Sequence, residues 1–384
     1  MNSLELGKVL WQDHLRDLFL AIDPERALNT VLDVLEQSAS NPMSLELSRY
    51  LYCSTAANTP VTIGNKNCHI VWRNRVGIPA GFTKYAFGLR ALNEMGVGAI
   101  EIGTCTPEPQ PGNPQPRFFI ERRGNGDLIL VNRFGFNHTG IRKVVHSVQS
   151  LWDATDQGKF AATLIWSLGP NKKTVDQYEE SRDLSLIVND ILYMVVEVMS
   201  VLRAGDAFQF NIASPNTPGP RDLFEHFGKL INGIIEQTRM LARIYRRPSP
   251  PWIIKLSPDM SSEQMRQVAQ AATCYEEVVA LEGFNTTADD NYKAQYGVAE
   301  KGGMSGDPLR ILADNKLITL HEIVMEEKLD IDIIAVGGIM TPNQAVDRLL
   351  IGERVKAVQL FSGIIKNGFS LIPETLEAIA NISV

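Results

Sequence analysis

From about residue 70 onward, short apolar runs recur along the chain, with segments of helical spacing between most of them. The runs are VGIPA (76–80), AIEIGT (99–104), ATLIWSLG (162–169), FQFNIA (208–213), WIIKLSP (252–258), EVVALEGF (277–284), DIIAVGG (332–338) and AVQLFSG (357–363). Several end in Gly, Ser, Thr or Asn. The intervening segments, such as Leu223–Ile244 and Ser262–Tyr275, are amphipathic. Eight strand-then-helix units predict an α/β fold, a (β/α)8 TIM barrel, with a doubly wound sheet as the runner-up.

The first 55 residues follow a different pattern. Leu4, Val9, Leu10, Leu15, Leu18, Phe19 and Ile22 recur at helical spacing. Asp23-Pro24-Glu25 then reads as an N-cap, a proline at the first helical position and an acid in the first turn. Leu28, Val31, Leu32 and Leu35 continue one apolar face, and Met43–Tyr52 offers a third helix. The expected organisation is a small helical extension over 1–55 and a barrel over 56–384. The extension is either a helical pair docked on the barrel or a lid or membrane-proximal hairpin. Its weak cationic character limits the membrane version.

Composition narrows the classes. With 44% hydrophobic residues in 384, the chain can bury a large core, and a net charge of -7 argues against a nucleic-acid surface. Cys53, Cys68, Cys105 and Cys274 are scattered, with no CxxC pair, so neither a metal site nor a disulfide framework is expected. No apolar run approaches the ~18–20 residues of a membrane span. The start MNSLELGKVLWQDH lacks the features of a signal peptide. The expected location is cytoplasmic, or peripheral on the inner face of a membrane.

A barrel carries its chemistry where its strands end. The first run leads into Ala80-Gly81-Phe82-Thr83-Lys84, the second ends at Thr104, and the third at Ser167-Leu168-Gly169. The fourth delivers Asn211, then Ser214, Asn216 and Thr217 in the proline-rich stretch SPNTPGP. The fifth holds Lys255, the sixth ends in Asn285-Thr286-Thr287, and the last two in Gly337-Gly338 and Phe361-Ser362-Gly363. These ends offer two lysines, many amides and hydroxyls, and almost no carboxylates. Such a set suits a neutral or anionic ligand rich in carbonyl and N–H groups, because a carboxamide both donates and accepts. The glycines after the seventh and eighth runs suit a phosphate held by backbone N–H groups. Taken singly, each feature has a bland reading: a paired lysine, a turn, a helix cap, a rigid loop.

Together the motifs AGFTK (80–84), EIGTCTPEPQPGNPQPR (101–117), NRFGFN (132–137), NIASPNTPG (211–219), IIKLSPD (253–259), NTT (285–287), GGMSGDPLR (302–310), AVGGI (335–339) and VQLFSG (358–363) resemble the class 2, quinone-linked dihydroorotate dehydrogenases. The resemblance runs from the N-terminal helices nearly to the C-terminus. It implies a flavin mononucleotide (FMN) enzyme on a (β/α)8 barrel that oxidises dihydroorotate to orotate in pyrimidine biosynthesis. A quinone-like compound would be the electron acceptor. It implies that Ser214 is the catalytic base, where a class 1 enzyme would have Cys. Lys84, Asn132, Asn211, Asn216, Asn285 and Thr286 match the substrate contacts, and Lys255 the lysine beside the flavin. Ala80, Gly81, Thr104, Ser167, Asn211, Ser305, Gly306, Gly337, Gly338, Phe361 and Ser362 fall where the flavin and its phosphate are held. The chain departs from the pattern at Ser167 (usually Asn), Thr83 (Asp), Ala213 (Ser), Phe284 (Thr), Phe361 (Tyr) and Ile120 (Arg near the quinone). Those changes leave two alternatives: a paralogue acting on another amide-containing substrate, and a silent barrel kept for binding.

Overall fold

The structure, a computed structural model, describes residues 3–212 and 226–382. All eight apolar runs form parallel strands: β1 Val76–Thr83, β2 Ala99–Cys105, β3 Thr163–Leu168, β4 Ala207–Asn211, β5 Trp252–Lys255, β6 Val278–Gly283, β7 Asp332–Ala335 and β8 Val355–Gln359. They pair in chain order and close, β8 against β1. The closed barrel displaces the doubly wound alternative. Its strands bury both faces, the inner against the barrel axis and the outer against helices, which is why the runs lack alternation.

The helices start where the sequence offers caps. Ser261 caps Ser262–Ala272 with a reciprocal Gln264 contact, and Thr341 does the same with Gln344 for Pro342–Leu349. An antiparallel hairpin, Val61–Gly64 with His69–Trp72, closes the N-terminal end of the barrel. Its Ile63 and Trp72 are fully buried against Ile165, Ile253, Ile334 and Ala357. Each such side chain stabilises the fold by about 1.5–3 kcal/mol relative to exposure. That end of the barrel is therefore filled by side chains.

Over the opposite end lies a three-stranded antiparallel flap of Phe118–Arg122, Leu128–Asn132 and Gly303–Gly306. The N-terminal segment is helical from Ser3 to Leu20 with a π-helical turn at Leu10–Leu15, followed by helices Pro24–Ala39 and Pro42–Tyr52. Asp23 caps the first of these two by accepting from Arg26 N at 2.9 Å. Leu32, Leu35, Ala39 and Leu45 join the main core.

A buried ion pair ties this extension to the cleft. Arg117 Nε and Nη2 reach the two Glu25 oxygens at 2.9 and 2.8 Å, and Arg117 also donates to Asn113 O at 2.9 Å. Glu25→Ala leaves a buried guanidinium without its anion, a loss of about 3–5 kcal/mol. The expected result is faster amide exchange in Pro24–Ala39 of the variant than of the wild type, with the barrel strands less affected. Equal protection of that helix in wild type and variant would refute the tether.

Candidate active site

The C-terminal strand ends surround one elongated cleft. Its wall includes Ala80, Gly81 and Lys84 from the first strand end, Thr104 from β2, Asn211 from β4 and Lys255 from β5. Asn285 and Thr286 follow β6, Gly337 and Gly338 follow β7, and Phe361 and Ser362 follow β8. The flap adds Asn132 and Ser305. Ser214 and Asn216 lie outside the described residues.

Two further expected residues stand behind the wall. The Ser167 hydroxyl is 2.9 Å from that of Thr104, so it reaches the cleft only through its neighbour. Asn211 Nδ2 donates to the same Thr104 oxygen at 2.8 Å, and Asn285 Nδ2 approaches Asn211 Oδ1 at 3.5 Å. One hydrogen-bonded chain thus orients residues from four strand ends. Gly306 has φ +90, and a Cβ there would lie 2.1 Å from Leu128 O; it allows the flap strands to meet.

One end of the cleft is lined by glycines and hydroxyls, with Gly338, Ser305 and Ser362 in its wall. Gly338 has φ +71, and a Cβ on it would meet Arg310 N at 2.5 Å, so no larger residue fits. Buried Arg348 holds the preceding backbone, donating to Val336 O at 3.0 Å and Gly337 O at 2.6 Å. Asp314 Oδ1 anchors that arginine at 2.8 Å. The Ser305 and Ser362 hydroxyls approach each other to 3.4 Å nearby.

At the other end Lys84 Nζ donates to Asn137 Oδ1 at 2.6 Å and lies 3.4 Å from the Phe134 ring centroid. Burial lowers its pKa to about 7, against a weaker opposing pull from Glu25. His138 holds the backbone here. Its Nδ1 accepts from Thr106 N and Gly140 N, which leaves the proton on Nε2 to donate to Lys84 O at 3.1 Å. Burial pushes His138 down to about 4, so the ring stays neutral near pH 7.

The strand ends are not as free of carboxylates as their sequence suggests. Glu101 and Glu282 are fully buried just below the cleft floor, flanking Lys255. Strand alternation hides them: they sit one pleat below the terminal residues and face the axis. Phe284, a departure from the family pattern, lines the cleft, and Phe118, Phe134, Phe136, Asn137 and Gln359 line it without having been singled out from sequence. The apolar FGF of NRFGFN was the available signal for two of them.

These residues fit a flavin. A buried ammonium, carboxamides and a hydroxyl line the middle of the cleft, and positive-φ glycines with two hydroxyls line one end of it, where backbone N–H groups and hydroxyls suit a phosphate. Thr286 Oγ1 is buried there and makes no hydrogen bond among the described residues, as expected of a group that serves a ligand. Barrel, cradle and lysine together define the class of (β/α)8 flavoenzymes, a class of oxidoreductases.

The comparisons with known proteins narrow that class. The family model described as dihydroorotate dehydrogenase matches residues 63–382. A dihydroorotate dehydrogenase (quinone) from Shewanella halifaxensis is 32% identical over 93% of this chain and 95% of its own. One from Teredinibacter turnerae is 32% identical over 96% of this chain and 98% of its own. Among solved structures, the Eimeria tenella DHODH in complex with ferulenol superposes with a TM-score of 0.74 at 26% identity, covering 94% of this chain and 91% of that one. The chain belongs to the dihydroorotate dehydrogenase family, whose members are flavin-dependent oxidoreductases.

Proposed function

We propose that this protein oxidises dihydroorotate to orotate with FMN, using Ser214 as base, and passes the electrons to a quinone-like acceptor. The observation that carries the reading is the convergence of Lys84, Asn132, Asn211 and Asn285 on a cleft that also holds Lys255 and the glycine cradle. Carboxamides can read both the C=O and the N–H groups of a pyrimidine ring, and Lys84 offers a cation to its carboxylate. Gly337, Gly338, Ser305 and Ser362 would hold the FMN phosphate, with Ala80, Gly81, Thr104 and Phe361 against the ring. When bound, FMN supplies the acceptor for the hydride taken from the substrate. Lys255 stabilises the negative charge that collects beside it.

A second cavity supports the acceptor assignment. About 330 Å³ in volume and almost wholly apolar, it lies beneath the N-terminal helices, lined by Trp11, Phe19, Leu28, Val31, Ile120 and Phe369 among others. Phe118 belongs to the walls of both cavities, so the two abut. An apolar ring compound fits such a lining. Leu15 and Leu47 of the cavity wall are exposed, as are Leu18 and Met43 of the same helical segment, which supports residues 1–55 as a membrane-proximal lid. None of the described helices is long and apolar enough to cross a membrane. Phe284, where the family pattern has Thr, lines the substrate cleft and favours the second reading, a paralogue acting on another amide-containing substrate.

Anaerobic addition of dihydroorotate separates the two. The purified protein is expected to be yellow, to bleach with dihydroorotate and to recolour with a soluble quinone. A flavin that stays oxidised beside dihydroorotate would transfer support to the paralogue.

Lys84 gives a pH test of the same site. With its folded pKa near 7, the ammonium form that attracts a carboxylate prevails below that pH and is depleted above it. Orotate affinity is therefore expected to fall by up to about tenfold per pH unit as pH rises above 7, followed through the flavin spectrum. Lys84→Met should bind orotate more weakly and lose this slope. A slope unchanged in the variant would remove Lys84 from the carboxylate.

A further inference from the structure

Beneath the cleft floor, β2, β4, β5, β6 and β8 each turn one polar residue into the barrel: Glu101, Gln209, Lys255, Glu282 and Gln359. All are at most 4% exposed. Lys255 Nζ is 2.5 Å from Glu282 Oε1 and 3.5 Å from Glu101 Oε2. Gln209 Nε2 donates to Glu282 Oε2. Glu101 accepts from Gln359 Nε2 at 2.6 Å and from Ala80 N at 2.7 Å. Only Lys255 and Gln359 of this layer reach the cleft wall.

The layer thus sets two carboxyls against one ammonium. No other strand offsets the imbalance: β1 and β3 carry no ionisable side chain, and Asp332 of β7 lies at the opposite end, bonded to Gly64 N and Arg354. An unpaired charge in such a place costs several kcal/mol, so the pair retains a proton. Burial opposes ionisation of Glu101, but the Lys255 ammonium, with further help from hydrogen bonds such as those of Gln359 and Ala80 N, outweighs it and lowers its pKa. Burial and the neighbouring Glu101 carboxyl drive that of Glu282 well up.

We propose that Glu282 is a redox-linked proton holder for the flavin site, a positioning residue that acts through Lys255. This rests on the flavin reading above. Two electrons arriving from the substrate place negative charge beside Lys255, which is then drawn toward the cleft and shared less with Glu282. At a pH high enough to ionise Glu282 in the oxidised enzyme, Glu282 then takes up a proton from water, forming one O–H bond, and returns it to water when the electrons leave; at lower pH it holds that proton throughout. No electron passes through the carboxyl.

The test is the flavin midpoint potential of the holoenzyme as a function of pH, in wild type and Glu282→Gln. The two curves are expected to converge at acidic pH and to separate as pH rises. The wild type should fall more steeply, by up to one further proton per electron pair, and the variant should have the higher potential at alkaline pH. Parallel curves would overturn the proposal. Gln209→Leu is the second variant: it removes the donor to Glu282 and leaves every charge in place. It should raise the proton affinity of Glu282 and move the bend of the curve to higher pH; an unmoved bend counts against the proposal equally. A wild-type protein without flavin absorbance would overturn the flavin reading itself, whereas a yellow protein with parallel curves would overturn this proposal alone.

Discussion

Ser214→Ala is expected to slow flavin reduction by dihydroorotate roughly 10²–10⁴-fold while the protein stays yellow, the range lost with a positioned general base. The reasoning begins with the weakness of the residue. A serine hydroxyl accepts a proton poorly in water and can serve only if oriented and shielded, with an outlet for the proton. The stretch SPNTPGP provides the first condition in sequence terms. Pro215, Pro218 and Pro220 limit the freedom of the unfolded loop, so fixing Ser214 and Asn216 over the substrate costs less entropy. The change is small, and the wall residues that would hold the flavin are elsewhere in the chain. Flavin content should therefore be unaltered, and stopped-flow bleaching isolates the chemical step. Reduction at the wild-type rate would exclude Ser214 as the base. Ser214→Cys provides a graded check, because a thiol restores a proton acceptor at the same position.

How far the site could be read from sequence depended on where each residue sits along its strand. The eight strands were legible because a strand buried on both faces is written as one apolar run, and the terminal residues Thr104, Asn211, Asn285 and Gly338 follow from those runs directly. The layer one pleat lower was harder to see. Glu101 and Gln359 are separated by 258 positions, and Gln209 and Glu282 by 73, so no local pattern shows that they share a barrel interior. A signal did exist: a charge inside an apolar run, as in AIEIG or VALEG, must be paired or neutralised. The flap was hidden for another reason. Gly303–Gly306 has little strand propensity and becomes a strand only by pairing with Leu128–Asn132, far away in the chain. Similarly, the π-helical turn at Leu10–Leu15 leaves no mark in the hydrophobic spacing.

Lys255→Met should have the largest effect on stability, and its pH dependence identifies the cause. Removing the ammonium leaves Glu101 and Glu282 buried with no counter-charge, which costs about 3–5 kcal/mol at neutral pH. Both carboxyls in the variant would then bind a proton more tightly in the folded chain than in the unfolded one, where glutamate titrates near 4.3. The folded state binds more protons, so stability falls as pH rises and returns on acidification. Denaturant unfolding at mildly acidic and at alkaline pH reads this out, and an equal loss at both would contradict it. Adding Glu282→Leu separates structure from catalysis. The double variant keeps one buried carboxyl, Glu101, instead of two, so it should regain part of the loss at neutral pH and most of it at mildly acidic pH, where Glu101 folds protonated. It should not regain the rate of flavin reduction, because no cation remains beside the developing charge. If both returned together, Lys255 would be a structural partner of Glu282 and nothing more.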